Sequence, residues 1–117
     1  MYEESNISNN LNLQLIDYKF NEINHLLNRE IINLKSTEAL HLRLFIEQIL
    51  HELPIIARDS IKNKRLIDKK RSLIKFEINI QEIKNYLRML ENFGYVKTQH
   101  ISQKIDDLFN IVKLYAG

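Results

Sequence analysis

The chain has 117 residues, 44% of them hydrophobic and 27% charged, with a formal net charge of +2. That size and balance fit one packed domain and exclude a disordered chain. The absence of cysteine excludes disulfides and thiolate metal sites, and two glycines with one proline leave little material for β-turns or phosphate-cradling loops.

No apolar run approaches the ~20 residues of a membrane span. The first ten residues are polar with two acids, unlike a secretory signal. A cytoplasmic protein without membrane contact is the expectation.

Residues 1–9 read as a flexible, frayed tail. A first helix is predicted to start near Asn9 or Asn10, either of which can cap it, and to end near Leu34. Leu13, Ile16, Phe20, Ile23, Leu27 and Leu34 form its inner stripe. Leu11, Leu15, Tyr18 and Leu26 fall on the far side, giving this helix two apolar faces. A short connection follows, with Ser36 or Thr37 as cap and Glu38 in a favourable first turn. The second helix runs from about Glu38 to Ile61 and is lined by Leu42, Ile46, Ile49, Leu53 and Ile56, with Phe45 beside them. Pro54 sits inside it and predicts a kink rather than a break, because the apolar rhythm continues in phase to Ile56.

The third helix, from Leu66 to Phe93, carries the most information. Leu73, Phe76, Ile80, Ile83, Leu87 and Leu90 recur at spacings of three and four, which lays one apolar stripe along it. Ile67, Ile74, Ile78 and Met89 project roughly 150–180° away, at about 100° per residue. A second apolar face of this kind marks an oligomer or partner interface, together with Leu11, Leu15, Tyr18 and Leu26. Gly94 is placed to end the helix in a left-handed conformation. Thr98 is a credible cap for a last helix lined by Ile101, Ile105, Leu108, Val112 and Tyr115, with Phe109 alongside. Four helices with short connections predict an all-α, antiparallel up-down-up-down bundle over residues 10–117.

Charge is unevenly distributed. Seven cations (Lys62, Lys64, Arg65, Lys69, Lys70, Arg71 and Lys75) and one acid, Asp68, give net +6 over residues 62–75. Residues 1–61 carry five cations against nine acids. Cations at a helix N-terminus oppose its macrodipole, so a sequence selected for stability alone would place acids there. The cluster therefore reads as a surface for nucleic-acid phosphates. The plain alternative is a solvated helix start.

Catalytic patterns are absent. Glu22 with His25, and Glu38 with His41, share the E-x-x-H spacing of di-iron bundles. On the first helix, however, that pair projects about 130–170° from the inner stripe; on the second, Glu38 faces inward but at the helix end, with His41 at the edge, and the other two helices put no carboxylate within their stripes. His51 follows Glu47 by one helical turn, an ordinary surface pair. None of the histidines has a serine or cysteine partner arrangement, and no GxGxxG or P-loop is present. A protein that is not an enzyme, with no metal or cofactor, is expected.

Three stretches carry a resemblance: Glu52-Leu53-Pro54-Ile55-Ile56-Ala57 with the cationic turn after it, the run Glu82-Ile83-Lys84-Asn85-Tyr86-Leu87-Arg88-Met89-Leu90 leading into Phe93-Gly94-Tyr95-Val96, and the last helix from Ile101 to Leu114 with Leu108 and Ile111. Together they resemble a family of four-helix bundles that includes proteins encoded in 23S rRNA intervening sequences and the accessory variability determinant of diversity-generating retroelements. The motifs cover residues 52–114, and the helix order about 12–115. The family's tryptophan near the end of the last helix is absent here, with Tyr115 nearby. The resemblance implies a homopentameric ring with a positively charged face. In the retroelement branch it also implies RNA or DNA binding and a reverse transcriptase partner in mutagenic retrohoming. The reading from a different class is a protein-interaction or structural bundle with no nucleic-acid role.

Overall fold

A computed structural model describes the backbone of residues 2–31, 36–94 and 97–116, and the side chains of residues 11–30, 36–94 and 97–116. Among these the regular elements are four helices and no strand: α1 (Tyr2–Ile31), α2 (Thr37–Lys62), α3 (Leu66–Asn92) and α4 (Gln99–Ala116). They form a four-helix bundle with extents of 53 × 24 × 19 Å. No helix among the described residues is long and apolar enough to cross a membrane.

The stripes read from the sequence make the core. Leu13, Ile16, Phe20, Ile23 and Leu27 of α1 are buried with Leu42, Ile46, Leu53 and Ile56 of α2. Phe76, Ile80, Ile83, Leu87 and Leu90 of α3 join them, as do Ile101, Ile105, Leu108 and Val112 of α4. Leu50, which lay outside the expected stripe, is also buried, whereas Ile49 and Leu73 pack at its edge. α2 lies along α3 and α1 along α4, while α2 and α4 also approach one another. Across the other diagonal, Phe20 of α1 meets Phe76 of α3 edge to face at 6.5 Å. Phe76 in turn stacks on Phe109 of α4 at 6.1 Å. One ring on α3 thus bridges to two other helices, in a geometry aromatic pairs favour.

Three expectations need correction. The helical backbone of α1 begins at Tyr2, ahead of the expected start at Asn9 or Asn10. No glycine or proline, the strongest helix breakers, stands anywhere between Tyr2 and Ile31. Leu26 is only 9% exposed and belongs to the core, not to an outer face. It sits at the margin of the stripe, where packing against a neighbouring helix decides burial. Phe45 is exposed rather than inward, yet its ring stacks on Tyr86 of α3 at 5.6 Å. Leu34, Tyr95 and Val96 lie outside the described residues.

The helix ends follow capping chemistry. Ser36 caps α2, its hydroxyl accepting the Ala39 N–H at 3.0 Å. Pro54 leaves α2 unbroken from Thr37 to Lys62. Phe93 caps the end of α3, and Gly94 follows with φ +78°. Thr98 takes the cap position of α4, where its carbonyl accepts the Ser102 N–H at 2.9 Å. Its hydroxyl turns away from α4 and donates to Glu91 Oε2 at 2.7 Å, with the Leu87 carbonyl at 3.4 Å. Thr98 therefore pins the start of α4 to the end of α3. Ser60, the other buried polar side chain, donates to the Ile56 carbonyl at 2.9 Å. No described buried side-chain polar atom lacks a partner, as a settled core requires.

Candidate nucleic-acid interface

The cationic cluster spans two helix ends and the turn between them. Asn63, with ψ 133°, closes α2 by donating its N–H to the Asp59 carbonyl at 3.1 Å. Arg65, also extended at φ −91° and ψ 129°, opens α3, and its carbonyl accepts the Lys69 N–H at 3.1 Å. Only Asn63, Lys64 and Arg65 lie between the helices, so the reversal is short enough to hold both ends together. Lys62 completes the last turn of α2, where a cation suits the dipole. Lys69, Lys70 and Arg71 crowd the first turns of α3, where cations oppose it and Asp68 alone offsets them. The Arg65 side chain makes no capping bond, so the first N–H groups of α3 have no side-chain acceptor from their cap residue.

All seven side chains reach the surface. Lys62, Lys64, Arg65, Lys70, Arg71 and Lys75 are exposed and Lys69 is half-buried. Among the described residues, none of the seven makes an ion pair or a side-chain hydrogen bond. Elsewhere cations do find acids: Arg43 with Glu47 at 2.9 Å, Lys84 with Asp106 at 2.8 Å and Lys104 with Glu22 at 2.9 Å. The turn is therefore a concentration of positive charge that the protein does not neutralise internally. Such a surface attracts polyanions and releases their counterions on binding.

The outer faces of the helices hold apolar side chains, as their phase predicts. Leu11, Leu15 and Tyr18 of α1 are exposed, and so are Ile67, Ile74, Ile78 and Met89 of α3. Leu66, which the periodicity did not single out, is also exposed beside the cations. It opens α3, where a 3.6-residue rhythm has too few preceding residues to fix its phase.

The histidine pairs resolve into ordinary surface chemistry. Glu22 joins Lys104 of α4, whose hydrogen bond holds the Glu22 carboxyl below the usual glutamate range. The same bond raises the Lys104 ammonium above the usual lysine range. His25 and His41 are exposed, and Glu38, expected to face inward, is exposed too because it lies in the first turn of α2, before the buried stripe begins. Glu47 pairs with Arg43 rather than with His51. No group of three or more potential metal ligands occurs among the described residues. Tyr86, beneath the Phe45 ring, is held above the usual tyrosine range by burial and then by its hydrogen bond to Glu82 at 3.1 Å.

A polar cleft of about 520 Å³ lies between the second half of α3 and the start of α4, bordered by Arg88, Gln99 and Gln103. Its charged wall is largely engaged already, through the Lys84–Asp106 pair and the Thr98–Glu91 bond. No protein-family model, curated protein or solved structure matches the chain.

Proposed function

We propose that this protein is a non-catalytic nucleic-acid-binding accessory factor of the cytoplasm, with Lys62, Lys64, Arg65, Lys69, Lys70, Arg71 and Lys75 set against phosphates. One observation carries the reading: seven cations gathered on one helix reversal and, among the described residues, paired with no acid. Phosphate contact without base-edge partners gives affinity with little sequence preference. The resemblance to the retroelement accessory determinant supplies the rest of the proposal. The helices alternate up and down, five copies close a ring, and a reverse transcriptase is a partner of the assembly. The direction of α4 against α3 supports the alternation, since Phe76 meets Phe109, Lys84 meets Asp106, and Glu91 meets Thr98.

Reversing Lys69, Lys70 and Arg71 to Glu tests the phosphate surface. A fluorescent single-stranded RNA is titrated with each protein at several salt concentrations. Affinity should fall more than about tenfold, and the slope of log K against log salt should flatten by roughly 2, as expected when three single-strand phosphate contacts are lost. An unchanged slope would remove nucleic acid from the reading.

A further inference from the structure

A phosphate gains nothing from an aliphatic side chain, yet three such side chains stand inside the cationic surface. Leu66, Ile67 and Ile74 are 66%, 55% and 59% exposed. They alternate with cations along the first turns of α3. Lys70 follows Leu66 by four residues and Arg71 follows Ile67 by four, and Ile74 follows these two cations by four and three. On a helix each such step is one turn, about 5.4 Å. The surface therefore presents an apolar row, a cationic row and a second apolar row. Asp68, the acid within this stretch, is half-buried. The pattern ends at Ile74, because Glu77 and Glu82 border the groove that follows.

This alternation selects the ligand. A single-stranded nucleic acid carries a phosphate and a base in every repeat, and its unpaired bases can turn an apolar face outward. A duplex stacks those faces away and shows phosphates along its rim. A bilayer holds its anionic headgroups and its apolar interior in separate layers. Charge alone favours the duplex, whose phosphates are the more closely spaced. The apolar rows act in the opposite sense.

We propose that the first turns of α3 bind single-stranded nucleic acid in preference to duplex, with Leu66, Ile67 and Ile74 packing on base faces and Lys70 and Arg71 holding the phosphates between them. The proposal rests on the phosphate surface described above and names the form of nucleic acid it takes. Base faces differ little from one another, so the contact adds affinity without a sequence code.

The probes are an oligothymidine of about twelve nucleotides, an abasic strand of the same length, and the oligothymidine paired with its complement. Fluorescence anisotropy measures the binding of each to the full chain and to the Leu66→Ser/Ile67→Ser/Ile74→Ser variant over a range of salt. All three side chains are more than half exposed, so the variant keeps its core. Wild type should bind the intact strand at least about fivefold tighter than either the abasic strand or the duplex. The variant should bind intact and abasic strands equally, with the wild-type salt slope, since its cations are in place. Equal binding of intact and abasic strands by wild type overturns the proposal. So does a duplex bound as tightly as the single strand, or a variant that still tells the strands apart. In each of these cases a steep salt slope leaves the phosphate surface standing. A flat slope in wild type overturns the phosphate surface and this proposal with it.

Discussion

Glu22 and Lys104 tie α1 to α4 at 2.9 Å, and the tie is electrostatic at both ends of the pH scale. The Glu22 pKa is lowered in the folded protein, chiefly by the Lys104 hydrogen bond. Its contribution is therefore present above the ordinary glutamate range and lost as pH falls through the folded value. The Lys104 pKa is raised, so its contribution is present below the ordinary lysine range and lost as pH rises through the folded value. Glu22→Gln should lower the melting temperature at neutral pH, and the gap to wild type should close as the solution is made acid. Circular dichroism melts across pH check this; a gap that stays constant at low pH contradicts the assignment. The sequence placed Glu22 beside His25, one turn away on the same helix. Its partner sits on α4, and periodicity within one helix does not reveal how a neighbouring helix is rotated. The same limit hid the Lys84–Asp106 pair and the bond from Thr98 to Glu91.

Among the elements, the α3–α4 connection depends most on a single backbone conformation. Gly94 has φ +78°, and a Cβ added there would meet nothing within 4 Å. The cost of Gly94→Ala is thus backbone strain alone, about 1 kcal/mol. Urea unfolding should show that loss with an unchanged m-value, and an equally stable variant would mean that the turn readily adopts another shape. This stop, the Ser36 cap and the inner stripes were legible because each is a local rule: a left-handed residue, a side-chain acceptor, a 3.6-residue rhythm. The start of α1 was not. Asn9 and Asn10 are good caps, but a cap marks a start only where helix does not already run through it. Leu26 was misplaced and Leu50 missed for a related reason, since residues at a stripe's edge are buried or exposed by the neighbour they meet.

On the scale of the whole molecule, the cationic reversal and the exposed isoleucines lie on the same helix, while the acid excess lies in residues 1–61. The basic cluster was readable as a count along the sequence, whereas its lack of acidic partners needed the packed bundle. The ring proposed above has a direct consequence in mass: five copies of the 14.0 kDa chain give about 70 kDa by light scattering. A mass near one chain would withdraw the ring while leaving the phosphate surface standing. The short turn between α2 and α3 has a further consequence, in time rather than in structure. Closing a three-residue connection costs little chain entropy, whereas bringing α1 to α4 closes a loop containing both central helices. The α2–α3 hairpin is therefore the cheapest long contact to form and α1 on α4 the dearest. On this count the charged turn is expected to form ahead of the contact of α1 with α4.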